Sequence, residues 1–204
     1  MERRDLLKMI MLATGTAMVG APALGYEKIP PVPLSDTPFS KDDVAFMNEV
    51  AEVILPQTDT PGAKAANVGA TMAVIAADCY TKAQRKQFRQ GLQDIDIRAK
   101  ADFGKPFLLL SSDERTALLT TLNEEALAFN AKQGTTYVVR DKPSSREPGT
   151  DLPLPHAFSL IKQLTLYAFF TSETGAKKVL RYVAVPGYYD GDLPYKKGDK
   201  AWAT

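Results

Sequence analysis

The stretch HAFSLIKQLTLYAFF, residues 156–170, places Phe158, Ile161, Leu164, Thr165, Ala168 and Phe169 three and four residues apart. On a helix of 3.6 residues per turn these positions cover much of the circumference, so this helix has to be buried by other elements. The chain supplies them. Residues 68–80, VGATMAVIAADCY, are alanine-rich and apolar on nearly every side, which predicts a central helix packed on more than one face. Between the two, Thr81 can cap a helix carrying Phe88, Leu92, Ile95 and Ala99 on one side. Its other side, Lys82, Arg85, Lys86, Arg89 and Arg98, reads as a solvated face. Ser111 with Glu114 forms a capping box for a helix with Ala117, Leu118, Leu122, Ala126 and Phe129 on one side, ended at Gly134.

Upstream, Ser40 and Asp43 approximate a second capping box, and Val44, Met47, Val50, Ala51 and Ile54 keep helical spacing until Pro56. Asp59-Thr60-Pro61-Gly62 is turn chemistry, with Gly62 read as a residue free to take positive φ. Downstream, Ser172 can cap a short amphipathic segment with Ala176, Val179, Leu180 and Val183, closed by Pro186-Gly187. The fold class expected is all-α: one compact domain of about six helices spanning 40–204. Two segments lack regular periodicity. Residues 24–39 hold Pro30, Pro31, Pro33 and Pro38 and read as a proline-rich linker, and residues 135–155 form a long irregular excursion.

Composition narrows the chemistry. The 204 residues carry 25 Lys+Arg and 24 Asp+Glu with no long run of one sign, so no electrostatic footprint for nucleic acid is visible. One cysteine, Cys79, and one histidine, His156, are too few for a structural zinc site, an iron–sulfur cluster or c-type haem attachment. Neither Gly-x-Gly-x-x-Gly nor Gly-x-x-x-x-Gly-Lys-Ser/Thr occurs, so no nucleotide cradle is recognisable. Cys79, in an apolar helix, reads as a small structural hydrophobe rather than an intersubunit disulfide or a redox thiol. His156, after Pro155 at a helix start, reads as a capping or surface residue; Asp151 is the nearest carboxylate in sequence that could orient it. Asp190-Gly191-Asp192 lacks the rest of a calcium loop and reads as a turn. The carboxylates between Asn123 and Asp151 show no diagnostic pairing, so the chain reads as non-catalytic on its own.

The first 23 residues read as an address. Arg3 and Arg4, followed by Leu6, Leu7 and Lys8, match a twin-arginine export pattern, with Glu2 and Leu6 departing from its commonest form. Met9 to Val19 is apolar but too short to span a bilayer, and Ala21 and Ala23 stand where a signal peptidase reads small side chains. Glycine and threonine dilute the apolar run, which favours the twin-arginine route over the general secretory one, although both stay open. Removal of this segment would leave a neutral periplasmic domain. That route carries folded cargo, so for a chain with no evident cofactor site either the chain simply folds fast or it carries the signal for a partner that holds a cofactor and travels bound to it.

From Leu180 the chain reads LRYVAVPGYYDGDLPYKKGDKAWAT, with aromatic residues set among Pro, Gly and Asp. Such rings either cap the chain's own core or anchor a partner. The stretch IKQLTLYAFFTSETGAKKVLRYVAVPGYYDGDLPYKKGDKAWAT, together with ILPQTDTPGAKAANV, resembles the gluconate 2-dehydrogenase subunit 3 family. This resemblance implies a small subunit that binds a glucose-methanol-choline type flavoprotein and supports its maturation and export. FAD then belongs to the partner, none to this chain, and a multihaem cytochrome c subunit often passes electrons to quinone. It also implies periplasmic localisation, with the membrane reached only through the complex. No catalytic residues carry over; Tyr167, Phe170, Tyr182, Pro186, Tyr188, Tyr189, Tyr195 and Trp202 are the candidates for the partner interface. A second reading makes the subunit necessary for turnover, its loop at 135–155 or its tail shaping the sugar site or the electron path.

Overall fold

The computed structural model describes residues 34–134, 153–185, 187–188 and 191–203. Among them are five α-helices: α1 (Lys41–Ile54), α2 (Val68–Asp78), α3 (Lys82–Phe103), α4 (Ser112–Gln133) and α5 (Ala157–Phe170). A π-helical turn, Gly175–Val179, makes six helices with these five, beside three short 3₁₀ turns, so the expected all-α class and count of about six are found. Strands are absent among the described residues, apart from an isolated parallel bridge between Arg181 and Trp202. Leu34 onward forms one compact unit. The expected signal segment and the excursion up to residue 152 lie outside the described residues.

Local sequence sets the helix starts. Ser40, Thr81 and Ser111 each accept the N–H three residues on, and Asp43, Gln84 and Glu114 reach back to the cap N–H, giving three reciprocal capping boxes. α4 ends at Gly134 with φ 64°, a left-handed geometry that glycine adopts without Cβ strain. α5 is the hub: it packs on α1, α2, α3 and α4. Its buried side chains are the six read from the sequence plus Leu160. Met47, Val50, Val68, Met72, Phe88, Ile95 and Phe107 meet them in one contiguous core. The packed unit begins inside the proline-rich lead, because Phe39 is buried edge-on against Phe88 with ring centres 6.0 Å apart.

Two helix crossings depend on glycine because they are close. A Cβ on Gly91 of α3 would lie 2.8 Å from the Ala157 Cβ of α5. A Cβ on Gly69 of α2 would lie 2.5 Å from the Val44 carbonyl oxygen of α1. Gly62 departs from its expected role: its φ is not positive, and what requires glycine there is the Glu52 carboxylate, 2.4 Å from where a Cβ would stand. Glu52 accepts the N–H groups of Gln57 at 2.9 Å and Lys64 at 2.8 Å, closing the loop after α1 around a charged acceptor.

Several side chains differ from their sequence reading. On α4 the buried face is Leu118, Leu119, Leu122 and Ala126; Ala117 and Phe129 are exposed. Leu119 fits the row one turn below Arg115, whereas Ala117 faces away from the core. The basic side of α3 is not merely solvated. Arg85 donates to the carbonyls of Ala76, Ala77 and Tyr80, capping the end of α2. Arg89 donates to the Pro38 carbonyl at 2.6 Å and lies over the Phe39 ring. Arg98 forms a two-pronged pair with Glu125 of α4 at 2.8 and 2.6 Å. The guanidinium of Arg115 bridges Glu49 of α1 at 2.8 Å and the Leu108 carbonyl at 2.7 Å. The Lys64 ammonium, then Arg115, hold the Glu49 carboxyl below the ordinary glutamate range.

Candidate partner-binding face

The C-terminal segment is a strap with a fixed root. Ser172 donates its hydroxyl to the Phe169 carbonyl at 2.6 Å and accepts the Gly175 N–H at 3.0 Å, turning the chain out of α5. Gly175 then passes so close to the Phe169 carbonyl that a Cβ would stand 2.0 Å from it. The strap leaves at Arg181 and returns there. Arg181 donates its N–H to the Ala201 carbonyl at 2.8 Å and accepts the Ala203 N–H at 2.9 Å. Its guanidinium sits 4.8 Å from the centre of the Trp202 ring. Lys200 adds an ammonium donated to the Lys178 carbonyl at 2.8 Å.

Between departure and return, an open groove of about 1030 Å³ is lined by Val183, Tyr188, Leu193, Pro194, Tyr195 and Trp202, among others. The rings do not cap the chain's own core: Tyr188 is 79% and Tyr195 77% exposed, and Tyr182 and Trp202 about half exposed. Tyr167 and Phe170 are also exposed, on the outer side of α5, but among the described residues no ring contact joins them to the strap. Pro186 and Tyr189 lie outside the described residues, as do the export residues Arg3, Arg4, Leu6, Leu7 and Lys8 and the cleavage residues Ala21 and Ala23. Five basic residues at this face went unread in the sequence: Lys178, Arg181, Lys196, Lys197 and Lys200. The signal available was the pair of lysine doublets, 177–178 and 196–197, flanking the aromatic run.

His156 caps a helix, as its position suggests. Its Nδ1 accepts the Phe158 N–H at 3.2 Å, which requires the neutral tautomer protonated on Nε2. The Asn130 side-chain oxygen accepts the His156 N–H at 2.8 Å, and Phe129 meets the imidazole edge-on. Burial pushes the imidazole below its ordinary value, opposed by Glu125 and reinforced by Arg98. Asp151, the carboxylate weighed as its partner, is outside the described residues. Cys79 corrects its reading: it ends α2 as an exposed C-cap, its N–H donated to the Ile75 carbonyl at 2.8 Å. The helix turns its last apolar face inward at Ala76 and leaves Cys79 on the outside. Among the described residues, no three His, Cys, Asp or Glu side chains converge as metal ligands would. Nor is any helix of those residues long and apolar enough to cross a membrane.

A helical unit organised around α5, with an exposed aromatic strap closed at Arg181, is the class of protein that fold and face define. The family model for gluconate 2-dehydrogenase subunit 3 matches residues 41–187, and the chain belongs to that family. Its name marks a subunit of a multisubunit dehydrogenase. The match runs from the first turn of α1 to the start of the groove and stops before residues 188–204. No curated protein matches, and no solved structure does.

Proposed function

We propose that the chain is the non-catalytic small subunit of a periplasmic, FAD-dependent sugar or polyol dehydrogenase complex. It binds a glucose-methanol-choline type flavoprotein, supports that partner's maturation and takes it through the twin-arginine route on the signal at Arg3 and Arg4. The observation that carries the reading is the strap: a chain of the subunit 3 family holds its C-terminal aromatic residues outside its own core. Exposed Tyr and Trp side chains, apolar at one end and polar at the other, are frequent anchors in interfaces. The absence of a dinucleotide-binding sequence fits a division of labour in which the flavin stays with the partner.

The test is co-expression. Tagged chain recovered from the periplasm should bring a flavoprotein in equal amount, with flavin absorbance, and deleting the chain should leave that flavoprotein cytoplasmic or inactive. A flavoprotein exported and fully active without the chain would refute the proposal. A flavoprotein that is exported, holds FAD and fails only in turnover would instead assign the chain to shaping the active site or the electron path.

A further inference from the structure

We propose that the strap groove takes an extended segment of the partner subunit that is apolar in its middle and acidic at its flanks; this rests on the reading above that the chain binds a partner. Two observations carry it. The first is charge. In a chain with nearly balanced charge, residues 173–203 hold six cations against four carboxylates. Of those carboxylates, Glu173 is engaged by Lys177 at 2.7 Å and Asp199 faces Arg181 at 3.8 Å and accepts the Lys196 N–H at 2.9 Å. Folding gathers the lysines: the bond from Lys200 to the Lys178 carbonyl and the contacts of Asp199 bring doublets 18 residues apart to the same root of the strap. Lys178, Lys196, Lys197 and Lys200 are exposed there, ready for carboxylates.

The second observation is shape. Tyr188, Leu193, Tyr195 and Trp202 line a concavity of about 1030 Å³, room for several side chains of an inserted segment. A flat lipid surface would leave that concavity unfilled, so the aromatic and lysine content, which would also suit an anionic bilayer, fits a protein segment better. Affinity then comes from apolar side chains buried among the rings, and orientation and association rate from the lysine rim.

The experiment compares the purified chain with its K196E/K197E and L193D/Y195S variants, and with K132E on α4 as a control, for binding to the purified flavoprotein at low and high salt. Wild-type helicity shows that the helices of each variant are folded, and wild-type Trp202 emission shows that the strap is still closed at Arg181. The expected result is a loss of about tenfold or more in affinity for both groove variants. Salt dependence should be weakened in K196E/K197E, and K132E should bind as wild type. A photo-crosslinker at Tyr188 should mark a partner segment flanked by Asp or Glu. Wild-type affinity in both groove variants, or a crosslink to a segment without acidic flanks, overturns the inference while leaving the subunit reading intact. Failure of the wild-type chain to bind the flavoprotein at all overturns that reading. Sedimentation of the chain alone with phosphatidylglycerol vesicles, lost in the variants, makes the face a membrane face and overturns the inference too.

Discussion

Arg181 and Trp202 are 21 positions apart in the chain, yet the guanidinium of one lies 4.8 Å from the ring centre of the other while the Arg181 backbone bonds to both neighbours of Trp202. One residue thus closes the strap by three kinds of contact, with Asp199 3.8 Å from the same guanidinium. Replacing Arg181 with Ala removes the cation–π contact, worth about 0.5–1 kcal/mol at an exposed site, and the charge pair, but keeps the backbone bridge. Trp202 is the chain's single tryptophan, so its emission reports the change directly. R181A should shift Trp202 emission and speed amide exchange at Ala203 severalfold, with the melting temperature of the helical unit nearly unchanged. A variant spectrum identical to wild type would show that the bridge alone holds the strap.

The crossing of α3 and α5 at Gly91 predicts an overpacking penalty. G91A drives a methyl to within 2.8 Å of the Ala157 Cβ and 3.1 Å of Ile161 Cδ1, and should cost about 1–3 kcal/mol in urea unfolding. A second substitution, A157G, should recover part of that loss, because the clash is with that methyl. G104A is the contrast: its φ of 70° has nothing within 4 Å, so its cost of about 1–2 kcal/mol is backbone strain, and no substitution on α5 relieves it.

His156 predicts a pH dependence whose sign follows from its cap. The imidazole titrates below its ordinary value in the folded chain because burial disfavours the cation, so the unfolded chain binds the proton more readily. Its contribution to stability is therefore complete above about pH 6.5 and is lost as pH falls through the lowered folded value. Protonation also removes the Nδ1 acceptor from the Phe158 N–H. H156N keeps a capping acceptor and cannot titrate. Urea midpoints measured at pH 7.5 and 5.5 should fall for wild type and change less for H156N. Glu125, held below the ordinary glutamate range by Arg98, titrates lower still and does not confuse this window. With one histidine in the chain, a single imidazole signal in NMR gives the tautomer and the titration together.

Cys79, exposed at the end of α2, should react with a thiol reagent in the native chain to one equivalent, at a rate close to that in urea. Slow reaction released only by denaturant would place the thiol inside.

What could be read from the sequence was what neighbours decide. The caps at Ser40, Thr81 and Ser111 need only a partner three residues on, and the apolar rows of α3 and α5 repeat within one helix. Gly134 ends α4 for the same local reason. The roles of Arg85, Arg89, Arg98 and Arg115 were not legible, because their partners lie between 5 and 66 positions away and depend on how the helices cross. Gly62 looked like a turn residue; nothing in the linear text shows that the Glu52 carboxylate fills the space beside it. On α4, Ala117 and Leu119 differ by one register row, and both are compatible with a helical stripe until the neighbours are in place. At the candidate face the aromatic richness was plain, but not the return of the chain to Arg181, which makes a groove out of what reads as a tail.

Asn130 near the end of α4 holds the first backbone amide of His156, and the Gln87 amide donates to the Pro155 carbonyl at 2.6 Å. The two ends of the connection between α4 and α5 are thus stapled to each other and to α3 by contacts among the described residues. Those staples predict that swapping the connection for a glycine-serine linker twice as long adds only about 0.6 kcal/mol of closure entropy. Chain expressed as two pieces, cut within it, should reassemble around α5. In engineering terms the molecule comes with a built-in port, where a reporter or a second binding module can be spliced without disturbing the helices that carry the strap.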